Sequence, residues 1–516
     1  MSVQIFLQGK LLGIEEFLMA PADRNTDQVF LGRSHWTSLL AEVLPRALLS
    51  ELGLARILLG SSGGGQFLLV LPEEVRDAAH EFLTRAAEEI LGLSGGQLKL
   101  IWSMTENLGD WSDIRKRLQG ALDRKRGAPA ALLDGVGAGG NESAVATFGP
   151  PQSLPEGTEE YFADYLGEKL RDAESAGWSP EHPGRILIGD VSSEPRPSGS
   201  GQSVSKAKHT WSLESSGDSI PFARHAAPTD DIHQPASGEV LASRAVGLST
   251  WGVLRGDVDN FDIRLRRAQN IEEHIQLSVM FKQFFAGELE VLCSMPEFWR
   301  KVTVIYAGGD DFAVLGAWDA LLALASEMER LFHRFADQNL KDFAGLEGKT
   351  ISMALALAPS VDASLGSVFE EAGQRLQAAK STDKDCIWLL GRTLEWKQLG
   401  EASTLKESLM HMISEFDCSP QYLKDLCGIY RESQARVSRR QARRTGGERP
   451  WRYHRRITRI LSASRATFKG GGPKRNEFQK ARSALIADLI GRSAVTVKLR
   501  PAGRVALEWA RLSAEA

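Results

Sequence analysis

The stretch Val302–Gly316, VTVIYAGGDDFAVLG, constrains the fold more than any other. Two short apolar runs, Val302–Tyr306 and Phe312–Gly316, flank the turn Gly308-Gly309-Asp310-Asp311. Runs this short, bounded by glycines, read as paired strands of a buried sheet. The turn sets two adjacent carboxylates at a hairpin tip, where glycines let a phosphate approach the backbone. Adjacent acids repel unless a cation lies between them. Upstream, Trp251–Phe261, WGVLRGDVDNF, is another apolar strand that ends in Asp257 and Asp259. Asp310 follows Asp257 by 53 positions, room for one strand, a long helix and a return strand. Carboxylates on neighbouring strand ends are how a two-Mg²⁺ nucleotidyl-transfer site is built. Gly-Gly-Asp alone also makes ordinary turns; the strand ending in Asp-x-Asp-x-Phe at this distance gives the hairpin chemical meaning.

A chain of 516 residues holds three or four domains. Its net charge of −4 and 42% hydrophobic content describe a globular protein with ample core. The cysteines, Cys293, Cys386, Cys418 and Cys427, form no CxxC pair, which argues against a zinc ribbon or a disulfide framework and for a reducing, cytoplasmic setting. No apolar run approaches the ~18 residues of a membrane helix, so no membrane role is expected. MSVQIFLQGK lacks the basic flank and apolar core of a signal peptide.

In chain order, Val3–Gln8 predicts a strand, and Leu12–Leu18 and Trp36–Glu51 helices. Arg56–Gly60 and Gln66–Leu71 are strands around a glycine turn, followed by a helix over Glu73–Leu91 and a strand over Leu98–Trp102. This order is a ferredoxin-like unit. A second unit repeats it: strand Gly252–Asp257, helix Ile271–Cys293, the hairpin, helix Asp319–Phe335 with Asp319 as N-cap, and strand Thr350–Ala358. A helix over Ser364–Lys380 and a last strand over Cys386–Leu390 complete it. Gly308-Gly309-Asp310-Asp311-Phe312 aligns without gaps over Gly63-Gly64-Gly65-Gln66-Phe67, and Arg255-Gly256-Asp257 over Gln8-Gly9-Lys10. An internal duplication follows, with acids in the second copy only. The expected class is α+β: two ferredoxin-like palm domains at 1–128 and 246–400, an insertion or linker at 129–245 and a helical C-terminal domain at 401–516. Within the insertion, Tyr161–Ala176 predicts a helix. The Ser-, Pro- and Gly-rich segment 194–235 predicts a flexible linker. After Leu399 no strand is expected, and Thr404–Phe416 and Ser419–Gln434 have helical spacing. Arg431–Arg459 carries eleven arginines against two acids, read either as a solvated helix face or as a surface for RNA phosphate or an acidic partner.

Together these residues resemble a family. The order of degenerate palm, insertion, GGDD palm and helical domain is similar to the large subunit of type III CRISPR–Cas effector complexes, a cyclic oligoadenylate synthetase. The residues that carry it are Leu254–Phe261 and Gly308–Asp311, with Ile351-Ser352-Met353, Ala379-Lys380 before Lys384, Gly32-Arg33-Ser34 and Pro450-Trp451-Arg452. The resemblance implies ATP as substrate and Mg²⁺ or Mn²⁺ as cofactor. Asp257, Asp310 and Asp311 would be catalytic, and with the Val258 carbonyl they would be the metal ligands. It implies nucleotide contacts from Val258, Asp259, Asn260, Phe261, Gly308, Gly309, Ser352, Lys380 and Lys384, with Gly63, Gly64 and Gly65 seating the acceptor ATP. Asp259 either joins the site or orients the following loop. Implied partners are the other effector subunits and, through the complex, guide and target RNA. Two departures stand out. No His-Asp dipeptide occurs, so the family's nuclease domain and single-stranded DNase activity are not expected here. No cysteine falls within 103–250, so the family's zinc site is not expected. A diguanylate-cyclase-like enzyme, AMP transfer to another acceptor, and an RNA-binding scaffold with an idle palm remain the alternatives.

Overall fold

A computed structural model describes residues 4–20, 26–126, 185–188, 209–212, 222–223, 225–229, 235–441, 451–463, 473–492 and 497–515. The expected helix over 161–176 and the basic run at 442–450 lie outside them, as do the side chains of 433–441 and 451–453.

The first half contains β1 (Gln4–Leu12), β2 (Leu59–Gly63), β3 (Gln66–Pro72) and β4 (Lys99–Glu106), in sheet order β2-β3-β1-β4. Helices Thr26–Glu51, Arg76–Leu93 and Trp111–Arg126 pack with it. Two boundaries differ from expectation. The helix expected from residue 36 begins at 26, because Phe30, Leu31, Trp36, Leu40 and Leu44 are buried along its whole length. Arg56–Leu58 is a turn of 3₁₀ helix, and the strand starts only at Leu59. In the insertion, β5 (Arg185–Ile188) pairs antiparallel with β6 (His209–Ser212), so the segment read as linker contributes a strand.

The second half contains β7 (Trp251–Val258), β8 (Val302–Ala307), β9 (Asp311–Ala317), β10 (Ile351–Leu357), β11 (Cys386–Leu389) and β12 (Arg392–Glu395), ordered β12-β11-β10-β7-β9-β8. β11 is therefore not its last strand. Asp319 is not the N-cap either: Ala317 holds that position, and Asp319 pairs with Lys301 at 2.9 Å. The helix from Ile271 is interrupted by a π turn, Phe284–Glu288, before Leu289–Cys293. Helices Trp396–Ser414, Gln421–Gln441, Trp451–Ala463, Pro473–Leu489 and Pro501–Ala514 follow. A short hairpin of β13 (Ile490–Arg492) and β14 (Val497–Leu499) lies among them, so strands do not stop at 399.

The two halves repeat one ladder. Lys10 pairs with Gln66 and Gly9 with Phe67; Asp257 pairs with Asp311 and Gly256 with Phe312. A Cβ on Gly9 would lie 2.1 Å from the Phe67 ring, and one on Gly256 2.3 Å from the Phe312 ring. Each glycine therefore yields its place to the opposing ring. Both hairpins also carry a bulge at the aligned position, between Leu59 and Ser61 and between Val304 and Tyr306.

The second sheet is buried on both faces, which explains its near-continuous apolar strands. Leu254, Phe312 and Val314 join Phe281 and Phe332 in a core shared with the C-terminal helices. Trp251, Val253, Ala313 and Leu315 join Phe30, Leu44 and Leu48 of the first half. By strand alternation Arg255 and Asp257 share the face of Val253, and Asp311 that of Ala313. The acids thus stand at the end of the face on which the first half is seated.

Candidate functional site

Asp257 and Asp311 are direct cross-strand partners, and the Asp310 carbonyl accepts from the Val258 N–H at 2.9 Å. Like charges placed directly opposite on paired strands are destabilising. Burial raises the Asp310 carboxyl well above the ordinary carboxylate range, and the charges of Asp311 and Asp257 raise it further. Burial, then Asp257, pushes Asp311 up to about 6. Burial also raises Asp257, with Lys380 opposing.

The Lys380 ammonium contacts Asp257 Oδ1 and lies 3.4 Å from the Val258 carbonyl oxygen. These are two of the atoms expected to hold a metal, and here they accept a cation. Among the described residues, no three acidic, histidine or cysteine side chains enclose a common point. The set is open, and open sets of hard oxygens suit Mg²⁺, which keeps waters and takes its remaining ligands from substrate phosphates. The residues present fit that ion.

The hairpin tips of the two halves face each other. A Cβ on Gly63 would lie 3.5 Å from the Gly309 nitrogen. A cavity of about 460 Å³ opens beside them, lined by Gly63–Gly65, Gly308–Asp311, Phe261, Arg255 and Tyr306. It is large enough for nucleotide-sized ligands. Neither Gly308 nor Gly309 has a left-handed backbone, and only Gly308 answers to proximity. A Cβ on Gly308 would lie 2.2 Å from Asp311 Oδ1, whereas nothing lies within 4 Å of a Cβ on Gly309. Space at Gly309 is therefore kept open by the sequence rather than by packing.

Two expected nucleotide contacts are internal instead. Asp259 is 1% exposed and Ser352 0%. β7 ends at Val258, so Asp259 lies past the strand; it accepts from Thr350 Oγ1 and Ser352 Oγ at 2.8 Å and from the Asp385 N–H at 2.9 Å. Its carboxylate is saturated by these donors and ties the loop after β7 to β10 and β11. Lys384 contacts Asn260 Oδ1, and Asn260 sits at φ 59°, a left-handed position that asparagine tolerates. Phe261 is packed against Phe281, ring centroids 4.5 Å apart, with one edge on the cavity.

Several cavity residues escape a reading by motif. Glu42 of the first half accepts from Arg46 at 3.0 Å and from Ser62 at 2.9 Å, and pairs with Lys282 of the second half. Burial drives the Glu42 carboxyl up, but Lys282 and Arg46 outweigh it and hold it below its ordinary value. Glu42 and Lys282 lie 240 positions apart in sequence, which no local pattern reveals. Removing one partner from such a buried pair costs roughly 3–5 kcal/mol. Arg255 and Tyr306 sit inside the quoted motifs themselves, yet nothing in the spacing assigns them a role.

The profile described as "Cas10/Cmr2, second palm domain" matches residues 250–388, and "Csm1 subunit domain B" matches residues 3–119. The Cas10/Csm1 protein of Thermococcus onnurineus, named a CRISPR system single-strand-specific deoxyribonuclease (subtype III-A), is 22% identical over 75% of this chain and 55% of its own length. Its namesake from Enterococcus italicus is 24% identical over 77% and 55%. Among solved structures, a Csm1–Csm4 cassette in complex with cA3 superposes with TM-score 0.65 at 17% identity, over 99% of this chain and 70% of the other. The same cassette with AMPPNP gives 0.62 at 16% identity, over 99% and 70%. Residues 250–388 are thus similar to a Cas10/Cmr2 second palm and residues 3–119 to a Csm1 domain B, and the fold is that of Csm1. The chain spans about half the length of the curated relatives it matches. The Cas10 palm match, 250–388, contains Asp257, Asp310, Asp311 and Lys380 together. The Csm1 domain B match contains the glycine turn facing them. Among the described residues, no helix is long and apolar enough to cross a membrane.

Proposed function

We propose that this chain makes cyclic oligoadenylate from ATP as the large subunit of a type III CRISPR effector. The observation that carries this reading is the Asp257–Asp311 strand pair with Asp310 at its tip, set across a nucleotide-sized cavity from a second glycine turn. Related Csm1–Csm4 cassettes bound to cA3 and to AMPPNP support it. Asp257, Asp310 and the Val258 carbonyl would hold Mg²⁺, with Asp311 completing the set. The ion, when bound, supplies a lowered pKa for a ribose 3′-hydroxyl and charge neutralisation for a triphosphate. Lys380, beside Asp257 and the Val258 carbonyl, would pair with triphosphate oxygens. Gly309, with no side chain to meet, admits phosphate close to the backbone. The turn at Gly63–Gly65 offers N–H groups to the acceptor nucleotide.

The working divisions are a degenerate palm at 1–128, an insertion at 129–245, the catalytic palm at 246–400 and a helical domain at 401–516. Synthesis is switched on by target RNA bound elsewhere in the complex and relayed through 401–516 and the insertion. The activating ligand need favour the competent state by only a few kcal/mol, since each ~1.4 kcal/mol is tenfold in population.

The test incubates the full chain, assembled with its partner subunits and guide RNA, with labelled ATP and Mg²⁺, with and without complementary target RNA. Products are identified by mass. Cyclic adenylates that appear on RNA addition support the reading. Linear or cyclic guanylates would favour a diguanylate-cyclase-like enzyme, AMP attached to another acceptor would favour transfer, and RNA binding with no nucleotide product would leave a scaffold.

A further inference from the structure

The bulge at Ile305 breaks the β8–β9 ladder immediately before Tyr306. Bulges beside sites re-aim a side chain. This one aims Tyr306 at Asp311: the hydroxyl donates to Asp311 Oδ2 at 3.0 Å. The direction of that bond is fixed by chemistry. Arg255 Nη2 lies 3.4 Å from the same hydroxyl, and a guanidinium only donates. The phenol oxygen therefore accepts from Arg255, and its single proton goes to Asp311. Arg255 is itself held in place, with its guanidinium 4.2 Å from the centre of the Phe369 ring and bonded to Glu15 of the first half at 3.2 Å. The bulge is held too. The Ile305 carbonyl accepts from the Ser34 hydroxyl of the first half at 2.8 Å. The other carboxylate oxygen, Asp311 Oδ1, lies over Gly308, where no side chain fits.

We propose that Tyr306 is a positioning residue for the nucleotidyl-transfer site, fixing the Asp311 carboxylate so that Oδ1 is the oxygen presented to a divalent cation. Arg255 orients the Tyr306 hydroxyl, and Ser34 sustains the bulge that points it. Contacts from the first half thus reach the carboxylates through two short relays. The inference rests on the site reading above.

The experiment measures Mn²⁺ binding to the full chain by calorimetry, and kcat and KM for ATP in the assembled complex. Partners of metal-ligating carboxylates typically contribute ~10–100-fold in affinity or activity. Tyr306→Phe, which keeps the ring, should weaken Mn²⁺ binding and lower kcat within that range while KM for ATP stays put. Arg255→Gln should lower both less, and add nothing in the Tyr306→Phe background, because it acts through that hydroxyl. Ser34→Ala should shift Mn²⁺ affinity in the same direction, and it serves if Tyr306→Phe fails to fold. Wild-type Mn²⁺ affinity in Tyr306→Phe would overturn the proposal, as would full additivity of the Arg255 and Tyr306 changes. Asp310→Asn with Asp311→Asn separates the two failures. If that variant binds Mn²⁺ and turns over ATP like wild type, the site reading itself falls; if it is dead while Tyr306→Phe is normal, only the positioning role falls.

Discussion

The two hairpins have the same ladder, the same bulge and the same glycine–phenylalanine contact, yet their tips are built from different backbones. Gly63, Gly64 and Gly65 have φ of 149°, 55° and 72°. Gly308 and Gly309 keep φ outside the left-handed region, and so does Asp310. The first tip therefore demands glycine, whereas the second tolerates an aspartate where the first has Gly65. Lys10 and Gln66 replace the carboxylate pair Asp257 and Asp311, so the first copy has also lost the repulsion that a cation would relieve. What the difference teaches is that one copy kept charge under strain while the other exchanged it for an uncharged turn. Only the copy with charge has the chemistry to hold a metal.

The largest effect should come from making the second tip resemble the first in charge. Asp310→Asn with Asp311→Asn should cut RNA-stimulated ATP turnover by ~10³-fold or more, since the several kcal/mol of charge stabilisation at stake is worth tenfold per ~1.4 kcal/mol. Product counting by mass checks it, and turnover near wild type would erase the functional contrast between the tips.

Next comes stability. The same variant without metal should be more stable than wild type at pH 8. A carboxyl whose folded pKa is raised penalises the fold fully above that pKa; the penalty fades as pH falls and is gone below the unfolded value. For Asp311 the window runs from about 6 down to the ordinary carboxylate value, and the penalty above it is on the order of 2–3 kcal/mol. Melting curves in chelator from pH 8 to 4 should converge at the acid end. Mg²⁺ should raise the melting temperature of wild type but not of the variant.

Lys380→Met removes the cation beside Asp257. KM for ATP should rise roughly 10–100-fold, the worth of a charge-assisted hydrogen bond, with the fold intact by circular dichroism. An unchanged KM would confine Lys380 to its contact with Asp257.

The smallest effect tests the backbone difference directly. Gly65→Asp copies the acid into the first tip, at φ 72° and with a Cβ that would lie 2.8 Å from Ile14 Cδ1. It should cost about 1–2 kcal/mol in chemical denaturation and create no second metal site. A neutral or stabilising result would show that the first tip lost its acids without a change of backbone.

Much of this was legible in the sequence because it is local and periodic. The ungapped match of the two hairpins and of the strand ends was visible in the sequence, and the ladders repeat in step with it, Lys10 opposite Gln66 and Asp257 opposite Asp311. The acid cluster was legible for the same reason. Its surroundings were not. Asp259 shares the polar spacing of a strand end, but the strand stops one residue earlier and the side chain turns inward to Thr350 and Ser352. The Glu42–Lys282 pair and the Ser34 bond to Ile305 join residues more than two hundred positions apart, and depend on how the halves dock. The left-handed φ at Gly63–Gly65 hides behind residues that alignment treats as equivalent to any other glycine turn.

The face of Trp251, Val253, Ala313 and Leu315 that receives the first half has one further consequence. Where two palms are separate molecules, dilution parts them and the working site goes with the encounter. Here the partner palm is tethered within one polypeptide and buried on arrival, so its effective concentration is set by the chain and not by the cell. Each copy of the protein carries one complete pairing, and the specific rate of synthesis should not fall as the molecules become scarce. A signal raised by a handful of complexes would then grow in proportion to their number rather than to its square.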